Sequence, residues 1–273
     1  MSLHDRFDLV ILDWAGTMVD FGCEAPVKAL LEAFAAEGVA IETASARRDM
    51  GKSKADHVRA LLQIPAVATA WGAARGRSPN NSDVELLMNR LGPLMREHAA
   101  EAATLIPGAR ETVEQLRALG FKIASSTGYT REMMAPVLAR AAAQGYVPDH
   151  VICAGETPAG RPTPLMIYKA CAELGVWPLS RVIKVDDAEA GIAEGKSAGA
   201  FTVGVASGNT VGLSLDEWKA LSSSERAAHL EASERVLQAA GADLIIESVA
   251  DLIPAISSIG RKSPTALSAD ITS

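Results

Sequence analysis

The chain has 273 residues, 48% of them hydrophobic, and a formal net charge of −7. This length can bury a large core in one elaborated domain or two smaller ones, and the acidic balance argues against nucleic acid or a membrane surface as a partner. Three widely spaced cysteines, no apolar signal sequence and no long uncharged run exclude a disulfide framework, a zinc site and a membrane span. We therefore expect a cytoplasmic protein that acts on a small molecule.

A short apolar strand opens the predicted fold. Residues 9–12 form a run that ends in a glycine turn, which predicts a buried β-strand. From about residue 25 to residue 100 the sequence is rich in Ala, Leu, Glu and Arg with helical spacing. Pro26 in a first turn, and Ser82 with Glu85 as a capping box, are the expected helix starts. This block predicts an all-helical insertion after the first strand.

Strands and helices alternate over the rest of the chain. This alternation predicts an α/β core with a parallel sheet and helices on both faces. The predicted strands lie at residues 121–125, 151–154, 182–185, 201–205 and 243–246, with helices at 109–119, 130–143, 164–174, 188–198 and 249–259. The charged segment 214–238 is predicted to be a surface excursion, to which we assign no role. We expect a core domain of residues 1–20 and 101–260, an inserted helical domain of residues 21–100 and a loose tail of residues 261–273.

Polar side chains follow four of the predicted strands. They are Asp13, Thr127 with Gly128, Arg161, and Asp186 with Asp187. A single aspartate at a strand end is usually a turn or cap residue. Four such positions in this order favour one site, because ligands of a parallel sheet bind at the carboxyl ends of its strands.

These side chains fit the transfer of a phosphoryl group. Asp13 and Asp187 can share one Mg²⁺ through carboxylate oxygens. The cation and Arg161 would neutralise a phosphoryl group while a carboxylate attacks it. Thr127 and the backbone N–H groups beside it can hold a phosphoryl oxygen.

The order of these motifs resembles the haloacid-dehalogenase superfamily of aspartyl phosphotransferases, over segments 1–20 and 101–260 with a helical cap between them. The resemblance implies a Rossmann-like core and makes Asp13 the nucleophile that becomes an acyl phosphate. It also implies that Mg²⁺ is bound by Asp13, Asp187 and the backbone carbonyl of Ala15. Thr127 and Arg161 then bind the phosphoryl group.

The sequence departs from the superfamily pattern at two positions. A second acid that protonates the leaving group usually stands two residues after the nucleophile, where this chain has Ala15. A further acid near the metal usually stands at the position of Gly191, so the supporting role beside the metal ligands falls to Asp186. Both departures concern acids, and the first bears on which bond is broken.

A missing leaving-group acid suits the cleavage of a P–C bond. A phosphate ester leaves as an alkoxide, which a carboxylic acid protonates. A carbanion needs an electron sink instead, and a lysine that forms an imine with a neighbouring aldehyde provides one. The segment M-G-K-S-K-A-D-H of residues 50–57 offers Lys54. Met50 and His57 share its face if the segment is helical throughout, whereas a helix broken at Gly51 leaves only the pairing of Lys54 with His57.

Several stretches are similar to the phosphonatase family, whose members hydrolyse phosphonoacetaldehyde. They are D-W-A-G-T-M-V-D-F-G-C, M-G-K-S-K-A-D-H-V-R-A-L, S-S-T-G-Y-T-R-E-M-M, G-R-P-T-P and V-D-D-A-E-A-G-I-A-E-G. The resemblance implies that Lys54 forms the imine, with Met50 and His57 beside it in proton handling and substrate positioning. It also places Cys23 and Tyr129 in the pocket.

The same resemblance implies an overall activity and assembly. The chain would hydrolyse phosphonoacetaldehyde to acetaldehyde and phosphate in the breakdown of 2-aminoethylphosphonate, as a homodimer. Its cap would close over the core about hinges near Gly22 and residues 103–107. Two other functions stay open. One is a phosphate-monoester phosphatase or phosphomutase, against which Ala15 argues. The other is a catalytically silent protein that binds a phosphorylated ligand or a partner protein, against which the retained Asp13 and Lys54 argue.

Overall fold

A six-stranded parallel sheet forms the centre of the core. A computed structural model describes residues 6–259, so the predicted tail of residues 261–273 lies outside the described residues. The strands are β1 (Leu9–Leu12), β2 (Lys122–Thr127), β3 (His150–Cys153), β4 (Val182–Asp186), β5 (Phe201–Val205) and β6 (Leu244–Ile246). Their spatial order is β3-β2-β1-β4-β5-β6 with parallel pairing throughout. The predicted α/β fold class is confirmed.

The sheet order creates a crevice at the carboxyl end of β1. The chain builds outward on one side of β1 through β2 and β3, then returns to its other side at β4. Ligands of such sheets bind where the order reverses. Leu12 is paired with Ser125 on one side and with Val185 on the other. The next residue on all three strands therefore lies at the same level of this crevice.

Helices cover both faces of the sheet. Along β1, Val10 and Leu12 belong to a core shared with α6 (Ala109–Ala118) and α12 (Leu252–Ile259), whereas Leu9 and Ile11 pack with α8 (Leu165–Leu174). The other core helices are α7 (Arg131–Ala143) and α9 (Glu189–Ala198). β1 is buried on both faces, which is why its sequence is continuously apolar and does not alternate.

Five helices lie between β1 and α6, and we call the segment that contains them, from Glu24 to Ala102, the cap. They are α1 (Glu24–Ala35), α2 (Thr43–Arg48), α3 (Lys54–Leu62), α4 (Pro65–Arg75) and α5 (Asn81–Ala102). The capping box of α5 is formed by Asn80 and Asp83, so the predicted box of Ser82 and Glu85 is wrong by two residues. Asp83 is fixed there because Arg77 also donates to both of its carboxylate oxygens, at 2.6 and 2.7 Å.

The segment after β5 contains two helices where the sequence predicted a surface excursion. α10 (Leu215–Ala220) and α11 (Ser223–Ala239) both begin at serine–glutamate capping boxes. Most of α11 is exposed, but Leu237 is fully buried with Ile192 of α9. Among the helices of residues 6–259, none combines the length and apolar character that crossing a bilayer requires.

Candidate active site

A small cavity lies between the carboxyl edge of the sheet and the cap. It brings together ten of the twelve residues that the sequence predicted for the site: Asp13, Ala15, Cys23, Met50, Lys54, Thr127, Gly128, Tyr129, Arg161 and Asp187. His57 and Asp186 are buried but do not line this cavity. Residues from the core and from the cap therefore line one shared space at the carboxyl edge of the sheet.

Asp13 follows β1 directly and is fixed by β4 and by Arg161. Its backbone N–H donates to the carbonyl oxygen of Val185 at 3.0 Å, and its Oδ1 accepts a bond from Nη2 of Arg161 at 2.8 Å. Burial, the largest cause, and the charge of Asp186 together raise the pKa of Asp13 to about 6, against the lowering effects of Arg161 and Lys184. The ionised form therefore depends on positive charge close by.

Arg161 is a buried cation that contacts three carboxylates. Besides Asp13, its Nε lies 3.0 Å from Oε2 of Glu194 and its Nη2 lies 3.3 Å from Oδ2 of Asp186. Burial opposes its charge, but these carboxylates raise its pKa well above the usual value. Nη1 also donates to the backbone carbonyl of Gly51 at 3.3 Å, so the guanidinium reaches the cap.

A buried lysine and a buried glutamate complete this cluster, and sequence reasoning missed both. Nζ of Lys184 lies 2.9 Å from Oδ2 of Asp186, 2.9 Å from Oγ of Ser126 and 3.6 Å from Oε2 of Glu194. The signals were present: Lys184 interrupts the apolar strand V-I-K-V-D, and Glu194 stands in the motif G-I-A-E-G.

The cluster has more negative than positive groups. Four buried carboxylates, those of Asp13, Asp186, Asp187 and Glu194, face two buried cations, Arg161 and Lys184. Ionisation of all four carboxylates would leave an excess of negative charge, which a bound cation would balance. Buried charges persist only when they are paired or bind a metal, so this imbalance is itself an argument for a cation site.

Carboxylate oxygens of Asp13, Asp186 and Asp187 lie within 4.8 Å of one another. Burial raises the pKa of Asp187 well above the usual value, and Asp13 and Asp186 raise it further. A bound cation would relieve this repulsion. Asp186 is paired with both Lys184 and Arg161, whereas Asp13 is paired with Arg161 through Oδ1, so Asp13 and Asp187 are the freer ligands. This oxygen donor set fits a hard divalent cation.

Asp187 lies in a space that backbone atoms define. A Cβ on Gly16 or on Gly208 would collide with its carboxylate, and Gly16 has a φ of +84° that favours glycine. The Asp187 carboxylate accepts bonds from the backbone N–H of Asn209 at 2.7 Å and from the hydroxyl of Thr17 at 3.3 Å. The turn that contains Ala15 is thereby pressed against this carboxylate.

Asp186 and Gly191 exclude each other's side chains. A Cβ on Gly191 would fall inside the Asp186 carboxylate group. Oδ1 of Asp186 also accepts a bond from the backbone N–H of Ala188 at 3.1 Å, which holds the carboxylate in this space. An acid at position 186 therefore occupies the volume that a side chain at position 191 would need, which gives a physical reason for glycine there.

Thr127 and Gly128 lie where the end of β2 contacts the cap. The buried hydroxyl oxygen of Thr127 accepts a bond from the backbone N–H of Tyr129 at 3.2 Å. A Cβ on Gly128 would collide with the carbonyl oxygen of Lys52 and lie 3.0 Å from that of Gly51. Glycine is required here because the cap loop approaches the core backbone directly.

Lys54 is the first residue of α3 and its amine is buried among weakly polar groups. Nζ lies 3.8 Å from Sδ of Met50 and 5.1 Å from the centre of the Tyr129 ring. Burial, the largest cause, and Arg161 together lower its pKa to about 8, against the raising effects of Cys23 and Asp13. The neutral, nucleophilic amine is therefore much more populated near neutral pH than in a solvated lysine.

Met50 reaches Lys54 from a turn. Gly51 has a φ of +85°, and α3 starts only at Lys54, with Ser53 as its cap. The prediction that Met50, Lys54 and His57 share one helical face is therefore wrong for Met50. The structure has the alternative, a helix interrupted at Gly51. The turn nevertheless brings the Met50 sulfur to the lysine.

The residues around Lys54 add little charge. Burial lowers the pKa of His57 to about 3, with Lys54 as the next cause, so its ring is neutral. Burial raises the pKa of the Cys23 thiol and of the Tyr129 hydroxyl well above their usual values, so both stay protonated. Cys23 has a φ of 55°, in the left-handed region that residues other than glycine rarely adopt. Strained backbone of this kind is common at functional sites, and Cys23 lines the cavity.

Known proteins with similar sequences and structures identify the family of this chain. Residues 7–199 match the family model of haloacid dehalogenase-like hydrolases, and the chain belongs to this family. The phosphonoacetaldehyde hydrolase of Paraburkholderia phytofirmans is 45% identical over 90% of this chain and 93% of that protein, and the one of Bacillus thuringiensis is 40% identical over 90% and 94%. A crystal structure of a phosphonoacetaldehyde hydrolase-like protein from Oleispira antarctica matches with a TM-score of 0.92 at 42% identity, covering 94% of this chain and 93% of that one. Within the hydrolase family, the chain groups with the phosphonoacetaldehyde hydrolases.

Proposed function

We propose that the chain hydrolyses the P–C bond of phosphonoacetaldehyde to acetaldehyde and phosphate, in the breakdown of 2-aminoethylphosphonate. One observation carries the proposal: the buried amine of Lys54 lines the same cavity as the carboxylate of Asp13. Ala15 stands in this cavity where a phosphatase of the superfamily would have its leaving-group acid. The names of the relatives at 40–45% identity support the same substrate.

The first step is imine formation on Lys54. Its neutral amine attacks the aldehyde carbon, water leaves, and the resulting imine takes up a proton to become an electron sink. With a pKa of about 8, about one amine in ten is neutral at pH 7. The sulfur of Met50 and the ring of Tyr129 hold the chain of Lys54 in place without adding charge. The neutral ring of His57, three residues further along α3, is proposed to relay protons.

The second step is attack on phosphorus by Asp13. A carboxylate oxygen forms the new O–P bond while the electrons of the P–C bond move into the carbon chain, giving an enamine on Lys54 and an acyl phosphate on Asp13. Arg161 fixes one oxygen of Asp13 and supplies positive charge where the phosphoryl group binds. Thr127 and the backbone at Gly128 bind phosphoryl oxygens in this proposal.

The last steps restore both residues. The enamine takes a proton on carbon, and water hydrolyses the imine to free Lys54 and acetaldehyde. A second water hydrolyses the acyl phosphate to free Asp13 and phosphate. Imine formation releases one water, so one water is consumed overall. Asp13, Asp187 and the carbonyl of Ala15 would bind Mg²⁺, which supplies positive charge against the phosphoryl and carboxylate groups when bound.

Reductive trapping tests the proposal. Borohydride added with phosphonoacetaldehyde should inactivate the protein and place a two-carbon or phosphonoethyl label on Lys54, found by peptide mapping. Lys52 is the matched control, because it lies two residues away and is paired with Asp49 at the surface. An unlabelled protein, or a label on Lys52, contradicts the proposal. Release of phosphate from monoesters without any label would favour the alternative, a phosphatase or phosphomutase on the same core.

The resemblance to phosphonatases also leads us to propose that the chain is a homodimer. Light scattering coupled to size-exclusion chromatography measures this directly. A mass of twice that of the 28.5 kDa chain is expected, and the mass of a single chain would contradict it.

A further inference from the structure

Arg47 joins the cap to the core at a place outside the cavity. It lies in α2, and its guanidinium donates to three backbone carbonyls. Nη1 donates to Gly22 at 2.7 Å and to Asn209 at 3.2 Å, and Nη2 donates to Gly212 at 3.2 Å. Gly22 lies where the chain leaves the core for the cap, and the other two lie in the loop after β5. One cap side chain thus binds two separate segments.

The loop after β5 also donates a hydrogen bond to Arg47, and it contacts the candidate metal site. The side-chain amide of Asn209 donates back to the carbonyl oxygen of Arg47 at 3.3 Å. The backbone N–H of the same Asn209 donates to Oδ2 of Asp187 at 2.7 Å. Asn209 therefore contacts the cap with its side chain and carbonyl, and a carboxylate of the active site with its N–H.

The fit around Arg47 is tight. A Cβ on Gly212 would lie 2.8 Å from Cζ of Arg47, and a Cβ on Gly22 would collide with the carbonyl oxygen of Leu213. Both glycines have positive φ, of +64° and +78°. Only a residue without a side chain lets the loop approach the guanidinium so closely.

We propose that Arg47 holds the cap closed on the core and thereby positions Lys54 at the substrate. Arg47 precedes Lys54 by one turn and one short loop, which also carries Met50 and Gly51. On one side this loop rests on Gly128 and Arg161 of the core. Arg47 fixes the N-terminal end of the same segment to Gly22, Asn209 and Gly212, so its position affects how the loop packs on the core.

A guanidinium is suited to this role. It offers five N–H donors in a rigid plane and can serve three carbonyls that lie in different directions, whereas a lysine ammonium is a single point. Arg47 lies outside the cavity lining, so it is a positioning residue. The kinetic part of the proposal rests on imine formation at Lys54, but cap closure itself can be measured without substrate.

Hydrogen exchange and trapping together test this role, with Arg48→Ala as the matched control. Arg48 is the next residue, and its guanidinium is exposed and paired with Asp49. In the unliganded Arg47→Ala protein, amide exchange over residues 50–54 and 207–213 should rise about tenfold or more, because charge-assisted bonds are lost. The rate of reductive labelling of Lys54 should fall as well, because less of the protein holds Lys54 in place. Arg48→Ala should change neither rate.

Thermal melting shows whether each variant is folded. If Arg47→Ala does not fold, the same exchange and labelling measurements on Arg47→Lys test the proposal. A folded Arg47→Lys protein should show intermediate exchange and labelling; wild-type values for both would overturn the proposal. Unchanged exchange in folded Arg47→Ala, or an equal effect of Arg48→Ala, would overturn it as well. If the wild-type protein forms no imine but Arg47→Ala still raises exchange in these segments, Arg47 holds the cap as proposed and only the proposed activity fails.

Discussion

The reactivity of Lys54 should titrate near pH 8. Burial lowers its pKa to about 8. A lysine with the usual pKa is neutral in roughly one molecule in 2,500 at pH 7, so the buried amine gains about 250-fold in its reactive form. The sign follows from the charge: the amine reacts when deprotonated, so labelling should speed up about tenfold from pH 6 to pH 7 and level off above about pH 9.

The assay is timed reductive labelling with phosphonoacetaldehyde and cyanoborohydride, quenched and quantified on the Lys54 peptide. Nα-Acetyl-lysine, which keeps a free ε-amine, is labelled in the same mixture. Its labelling rate, divided by its own neutral fraction, corrects for the pH dependence of the reagents. Lys52→Ala should keep the same profile, because Lys52 lies at the surface with Asp49. A labelling rate that keeps rising tenfold per pH unit through pH 10 would show an ordinary lysine pKa and refute the reasoning from burial.

Three further predictions concern the carboxylate cluster. Asp13→Asn should still label at Lys54 but release phosphate at least about 1,000-fold more slowly, because the nucleophile is gone; labelling and phosphate assays separate the two steps, and undiminished release would exclude Asp13. Gly191→Ala should lower the free energy of unfolding by about 1–3 kcal/mol in denaturant titrations, because its methyl collides with Asp186. Gly92→Ala, with open space around it, is the control, and equal stability of both variants would contradict the collision. Removal of divalent cations with a chelator should stop phosphate release and leave labelling of Lys54 intact; loss of both would place the metal in imine formation.

The core of the fold was predictable because its signals are local. Apolar runs that end in glycine or aspartate mark parallel strands, and the carboxyl ends of such strands meet at one edge. Asp13, Thr127 and Asp187 could be grouped on that basis alone. β2 is longer than predicted, since Thr127 still pairs with Cys153 of β3. The helices of residues 215–239 were missed although serine–glutamate capping boxes mark both starts, because their largely exposed faces lack a clear apolar period.

Other parts of the site depend on contacts far apart in sequence. Lys184 and Glu194 join the cluster around Arg161 only because β4 lies beside β1 and α9 packs against β4. The contact of Arg47 with Asn209 joins residues 162 positions apart and leaves no local pattern. Lys54 itself was predicted from family resemblance, since a lone cap lysine is normally a solvated surface residue. Its burial between Met50 and Tyr129 belongs to the tertiary structure.

The most direct test of the central claim is the product balance on phosphonoacetaldehyde, followed by ³¹P and ¹H nuclear magnetic resonance. The wild-type protein should form phosphate and acetaldehyde in equal amounts, and Lys54→Arg, which keeps the charge but cannot form the imine, should form neither. Turnover by Lys54→Arg at the wild-type rate, or a wild-type protein that hydrolyses phosphate monoesters and leaves phosphonoacetaldehyde intact, would contradict a mechanism in which Lys54 and Asp13 act on the two ends of one P–C bond.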